Sequence, residues 1–354
     1  MSVLKSAMSV VSCAAWPAAR AWARGGYFRP QDLATLQPQT VALVACHWIG
    51  DTFWATQVGP ALAERFPAAA VHVVTKPLCA DLWHGLIPPQ RVLEAPEVVS
   101  DRRRESASWI AIARRARRLR PLGFDLVIDL TGNRYSAWLC FLLRPRWCLG
   151  FGGGELGWLY SHRVCVPPRR HLSEQPFRVI EPLLSGRQRP FAYSLPLRPP
   201  TPTCAPEAVR SPLGLMGRRY HVLVPGAGWP AKQWPAERFA EVGRILQDRG
   251  AAIVVTGSAG EKSLCESLAG RLPGAVTFVG RPIGQVVALL ATAEGVLAND
   301  SGLAHLAAAL HRRTATIFTG VTDPCVCRPL GQGELAADFD AGISPERVAA
   351  HLLG

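Results

Sequence analysis

Four short polar stretches hold the residue types from which chemistry can be built. The richest is Val296-Leu-Ala-Asn-Asp-Ser-Gly-Leu-Ala-His305, where an apolar strand closes at Asn299 and Asp300 and a helix follows. Ser301 stands where a helix cap would, and Gly302 leaves room for a ligand against the backbone. Such a strand-to-helix turn points backbone amides at an anion, and a phosphate or diphosphate suits it. His305 falls one helical turn after Ser301 on the same face, so its imidazole can reach the same ligand. An ordinary capped helix with a core histidine is the competing reading.

The stretch Pro225-Gly-Ala-Gly-Trp-Pro-Ala-Lys-Gln-Trp-Pro235 offers Gly226 and Gly228, which open space beside a backbone, and Lys232, a cation able to neutralise a diphosphate as a point charge. It is not a Walker A loop, because Gln233 follows the lysine where Ser or Thr would be needed. In Thr256-Gly-Ser-Ala-Gly-Glu261, Gly257 allows a close approach and Glu261 fits two roles, holding a ribose or opening a helix after a plain glycine turn. In Ile49-Gly50-Asp51, Gly50 permits an unusual backbone angle, and Asp51 is either a helix-start carboxylate or a general base.

These stretches need scaffolds that aim them at one another. Apolar runs at Val41–Ala45, Val71–Thr75 and Phe124–Leu130 alternate with helical patterns at about 52–66 and through the arginine-rich 102–120. That alternation predicts a doubly wound parallel sheet over 41–190. Seven prolines between Pro190 and Pro212 predict an interdomain linker over 191–212, since neither helix nor central strand tolerates proline well. The alternation restarts at Tyr220–Val224, with a helix over 235–249, strands at 251–256, 276–279 and 295–298, and a helix over 261–272. A second doubly wound unit over 213–342 follows. Ser344-Pro345 starts a last helix over 343–354, expected to return to the first unit. Two such units enclose a cleft, and open parallel sheets bind ligands beyond the carboxyl ends of their strands.

Composition narrows the partners. The 354 residues are 49% hydrophobic and 18% charged, as in a folded protein with a sizeable core. A net charge of +13, with arginines far outnumbering lysines, calls for an acidic partner: nucleic acid, anionic lipid or a nucleotide diphosphate. Arg102, Arg103, Arg104, Arg114, Arg115, Arg117, Arg118 and Arg120 surround Trp109-Ile-Ala-Ile and read as a basic amphipathic helix, a solvated face before a dedicated binding surface. No nucleic-acid-binding signature accompanies it, so nucleic acid is not the expected partner. Ten cysteines without a C-x-x-C pair indicate neither a zinc site nor a disulfide framework, which makes a reducing cytoplasm the expected compartment. Residues 1–40 read as a poorly ordered or membrane-proximal extension, and Gly152-Gly153-Gly154 as a loop.

Taken in order, Ile49-Gly50-Asp51 with Ala63-Glu-Arg-Phe-Pro67, Lys232-Gln-Trp-Pro235, Thr256-Gly-Ser258, Asn299-Asp-Ser-Gly-Leu-Ala-His305 and Thr316-Ile-Phe-Thr-Gly320 resemble glycosyltransferase family 9, the heptosyltransferases of lipopolysaccharide core assembly. The resemblance implies a GT-B fold, two Rossmann-like domains facing across a cleft. It also implies an N-terminal acceptor half, a C-terminal nucleotide-sugar half, no cofactor and no essential metal; the basic surface adds an expected place at the inner face of the inner membrane. It assigns Asp51 as the catalytic aspartate, Lys232 to the diphosphate, Asp300, Ser301, Gly302 and His305 to the donor motif, and Glu261 to the ribose; Asn299, which opens that motif, is expected to touch the donor as well. The chain departs from the family pattern at Ala45, where a basic residue is usual, and at Gln57, where proline is common; Trp48, Phe53 and Trp54 make that corner aromatic. The expected ligands are a nucleotide sugar, foremost ADP-heptose, and a lipid-linked or glycan acceptor, with a UDP-sugar enzyme or a non-catalytic nucleotide-sugar-binding protein as alternatives.

Overall fold

The computed structural model describes residues 33–98, 108–152, 155–164, 171–184, 197–331 and 335–354. Most of the expected extension, Arg102–Arg104, Gly153 and Gly154, and the first part of the proline-rich segment lie outside them.

The first domain holds a six-stranded, wholly parallel sheet in the order β3-β2-β1-β4-β5-β6, built from β1 (Thr40–Ala45), β2 (Ala70–Thr75), β3 (Val92–Glu94), β4 (Leu126–Asp129), β5 (Trp147–Phe151) and β6 (His162–Val164). β1 is flanked on both edges and covered on both faces, which is why Val41 to Ala45 are all apolar and fully buried. One face is covered by α1 (Ile49–Thr56) and α2 (Gly59–Arg65), the other by α3 (Trp109–Leu119) and α4 (Arg134–Leu143), and α5 (Glu174–Leu184) returns to the first face. The single helix expected over 52–66 is two helices, because Pro60 has no N–H to give the Thr56 carbonyl. α3 buries Ile112, Ala116 and Leu119 and leaves Arg114, Arg117 and Arg118 exposed, as its pattern implies.

Within the proline-rich segment, α6 (Pro206–Arg210) is helical: Pro206 sits in its first turn, where a missing N–H costs nothing. The second domain repeats the first in β7 (Tyr220–Val224), β8 (Ala252–Gly257), β9 (Val276–Val279), β10 (Gly295–Asn299), β11 (Arg313–Phe318) and β12 (Ala336–Asp340), ordered β12-β11-β10-β7-β8-β9 and again all parallel. α7 (Ala236–Asp248), α8 (Lys262–Ala269), α9 (Ile283–Leu290), α10 (Gly302–Ala309) and the short α11 (Pro324–Cys327) connect them. The last helix, α12 (Pro345–Leu353), is capped by Ser344, which accepts the Arg347 N–H at 3.4 Å. Among the described residues it packs on the second domain rather than on the expected first. Its apolar side, Val348, Ala349 and Leu352, completes a core with Phe239 and Val242 of α7 and Ile317 of β11.

Each sheet reverses its winding once, between β1 and β4 and between β7 and β10. The loops after β1, β7 and β10 leave those points, and they are the loops that hold Asp51, Lys232 and the 299–305 stretch.

Candidate active site

The two reversal points face one cleft of about 380 Å³. Its walls include Gly50, Asp51, Gly226, Gly228, Lys232, Gly257, Glu261, Asp300, Ser301, Gly302 and His305, so four stretches far apart in the chain converge. Asn299 is the exception.

On the C-terminal wall the charged groups are already engaged. Lys232 Nζ lies 2.6 Å from Asp300 Oδ2, and the Thr322 hydroxyl donates to the same oxygen at 2.6 Å. The lysine also sits over the Trp229 ring, 4.7 Å from its centroid. The cation is thus held at a fixed point rather than swinging on its stem. Asn299, expected to touch the donor, is fully buried and spends both ends of its amide on the protein: Oδ1 accepts the Trp234 N–H at 2.9 Å and Nδ2 donates to the Pro225 carbonyl at 2.7 Å. It fastens the Lys232 loop to the end of β10.

Ser301 occupies the N-cap position of α10, yet makes no capping hydrogen bond, and its Oγ is buried without a partner. The expected cap is absent, so the first amides of α10 keep their hydrogen-bonding capacity on the cleft side. Glu261 takes the helix-start reading. Its Oε2 accepts both the N–H and the hydroxyl of Ser258 at 2.7 Å in a capping box, while a Cβ on Gly226 would overlap its carboxylate. The acid is therefore a helix start pressed against the cleft backbone.

The N-terminal wall is different. Asp51 lies in the first turn of α1, half-buried, among Trp48, Ile49, Trp54, Leu78 and Leu172. Gly50 is helical and not in the left-handed region; its role is close approach, since a Cβ there would meet His305 Cδ2 at 2.9 Å. A Cβ on Gly302 would meet Ile49 Cβ at 2.7 Å and Gly50 N at 2.8 Å. Two glycines thus let the start of the helix bearing Asp51 rest directly on the start of α10. The cation missing at Ala45 has a neighbour in Lys76 at the end of β2, itself 9% exposed, with Nζ 4.2 Å from the centre of the Trp48 ring.

His305 is buried, its Nδ1 has no partner, and burial pushes its pKa down to about 4, so the ring is neutral at neutral pH. Burial also raises Asp338, behind Asp300, to about 6. Sequence reading missed Thr322 and Cys327, which lie beyond β11. The run Thr322-Asp-Pro324 at a strand end is the polar turn that could have signalled them. Among the described residues, no group of three or more His, Cys, Asp and Glu is arranged to hold a metal ion, and no helix is long and apolar enough to cross a membrane.

The chain is 24% identical over 327 residues to the lipooligosaccharide heptosyltransferase 2 of Haemophilus ducreyi, covering 86% of this chain and 90% of that one. Its fold is similar to that of the E. coli ADP-heptose lps heptosyltransferase II, with a TM-score of 0.71 at 22% identity over 89% and 97% of the two chains. An E. coli heptosyltransferase solved with ADP superposes with a TM-score of 0.65 at 21% identity, over 89% and 99%. The model of glycosyltransferase family 9 (heptosyltransferase) matches residues 112–352. With two parallel Rossmann-like sheets of GT-B type facing one cleft and this family match over most of its length, the chain belongs to glycosyltransferase family 9.

Proposed function

We propose that this glycosyltransferase moves a heptosyl group from ADP-heptose to a hydroxyl of a lipopolysaccharide-core or related glycan, with inversion at the anomeric carbon and without a metal. The observation that carries this reading is the apposition of α1 and α10: the glycine contact sets the turn bearing Asp51 against the start of α10, so Asp51, Ser301 and Gly302 line one cleft. The names of the similar proteins, one of them an ADP-heptose enzyme, support the choice of sugar and base.

In this mechanism Asp51 accepts the proton of the acceptor hydroxyl as its oxygen bonds to the anomeric carbon. The bond from that carbon to the diphosphate oxygen breaks on the opposite side, and ADP leaves with the electron pair. Lys232 and the amides of Ser301 and Gly302 take up the growing charge, preorganised donors each typically worth ~10² to 10³ in rate. Asp300 and Thr322 keep the ammonium in place, and Glu261 binds the ribose. Asp51→Ala tests the base: a folded variant with near-normal transfer to O-deacylated lipooligosaccharide would remove the assignment.

The same proposal seats the enzyme on the cytoplasmic face of an anionic membrane, through exposed Arg114, Arg117 and Arg118 with Ile110 beside them. Equal partitioning onto anionic and neutral vesicles would contradict it.

A further inference from the structure

One aromatic column links the two domains at the wall of the cleft. Trp54, in the second turn of α1, is 2% exposed and belongs to a core cluster otherwise made mostly by the second domain. Its ring meets two imidazoles edge-on, His305 at 5.0 Å and 73° and His171 at 5.6 Å and 87°. His171 is itself anchored across the domain boundary: one ring nitrogen, Nε2, lies 2.9 Å from the Arg328 carbonyl, while Nδ1 lies 2.8 Å from Ser173 Oγ. The adjacent Leu172 N–H donates to the Val326 carbonyl at 2.8 Å. The segment that receives these bonds includes Cys327, whose Sγ is 3.9 Å from Asp300 Oδ2. At the other end of the column, His305 lines the cleft with a hydrogen bond unmet at Nδ1.

A buried imidazole whose Nδ1 hydrogen bond is unmet depends heavily on packing for its rotamer. Helix α10 supplies Ala and Leu neighbours, Gly50 supplies a flat backbone, and only Trp54 brings a ring against the imidazole among the described residues. We propose that Trp54 is a positioning residue for the donor: its ring edge fixes His305 at the cleft wall, and the His171–Ser173 turn braces Trp54 from behind. Donor affinity therefore depends on a residue of the acceptor domain, and a protein whose domains drift apart binds nucleotide sugar poorly. This rests on the proposed reading of the cleft as a nucleotide-sugar site.

The test is a double-mutant cycle on ADP-heptose binding, read by calorimetry on the full chain. An edge-to-face pair is worth ~0.5 to 1.5 kcal/mol beyond burial, so Trp54→Leu weakens binding by about two- to twelvefold. Trp54→Phe, which keeps a ring edge, stays within about twofold of wild type on the same scale. Combined with His305→Ala, Trp54→Leu adds nothing further, since the tryptophan acts through the histidine. Additive losses, no loss with Trp54→Leu in a folded protein, or no rescue by Trp54→Phe would each overturn the proposal. Should Trp54→Leu fail to fold, His171→Leu carries the same expectation, a weakening that disappears on the His305→Ala background. A wild-type protein that binds no ADP-heptose defeats the nucleotide-sugar reading, whereas binding with additive losses defeats the role of Trp54 alone.

Discussion

The two walls of the cleft are built on opposite plans. The C-terminal wall is polar and already bonded: Lys232, Asp300 and Thr322 form one hydrogen-bonded knot, Asn299 ties two loops together, and the α10 amides stand open beside them. The N-terminal wall sets a single carboxylate, Asp51, among the cleft-lining Trp48, Ile49, Trp54, Leu78 and Leu172, and the buried Lys76 is engaged over the Trp48 ring. The contrast fits the division of labour in the proposed mechanism. A departing diphosphate demands fixed positive groups, whereas an incoming hydroxyl demands one base and a surface that excludes water.

The largest effect that sharpens this contrast comes from Asp51→Asn. Turnover, followed as ADP release in the presence of O-deacylated lipooligosaccharide, falls by ~10² to 10⁴, the usual span for removing a general base. ADP-heptose affinity, measured on the same preparation, stays near wild type, because the carboxylate serves the acceptor wall; a large loss of donor affinity would blur the division. Asn299→Leu strikes the opposite wall. It strands the Trp234 N–H and the Pro225 carbonyl in the core, each costing ~1 to 3 kcal/mol, so thermal unfolding and donor affinity both suffer. Unchanged values of both would show that the two loops do not need their clasp.

Gly302→Ala tests the seam itself. The added methyl meets Ile49 and Gly50, so the helices separate by a few tenths of an ångström and turnover drops by about tenfold or more, as expected when reacting groups are misplaced. Gly59→Ala, whose Cβ would have no atom within 4 Å, stays within about 0.5 kcal/mol of wild-type stability and serves as the control. A further effect concerns stability against pH. His221, buried at the far end of β7, has its pKa pushed down to about 4 by burial, from 6.5 when exposed. A depressed imidazole contributes nothing unfavourable above pH 6.5 and destabilises progressively as pH falls toward 4, by about 3 kcal/mol at the end of that window. His305 acts in the same direction. Melting curves from pH 7.5 to 4.5 should fall accordingly, and His221→Gln should flatten them.

Much of this was legible in the chain because burial on both faces writes a parallel strand as an unbroken apolar run. Val41–Ala45, Val222–Val224 and Val296–Ala298 announce the sheets, and the polar residues that end β1, β7 and β10 announce the cleft. What stayed hidden depends on contacts between distant segments. Ser301 has the right type and position for a cap, but tertiary structure leaves its hydroxyl unpaired. Gly50 looked like a backbone-angle glycine, and only its neighbour His305, on the other domain, reveals a packing one. Asn299 looked like a ligand contact because its motif surrounds it; the Trp234 and Pro225 partners lie well over sixty residues away. The placement of α12 followed from which sheet offered an uncovered apolar face, and no local signal records that.

The most direct test of the account is calorimetric titration of ADP-heptose and of UDP-sugars into the wild-type protein and Lys232→Ala, with a chelator present. The account predicts selective binding of ADP-heptose that Lys232→Ala weakens severely. Preference for UDP-sugars, or binding indifferent to Lys232, would contradict the donor wall as described.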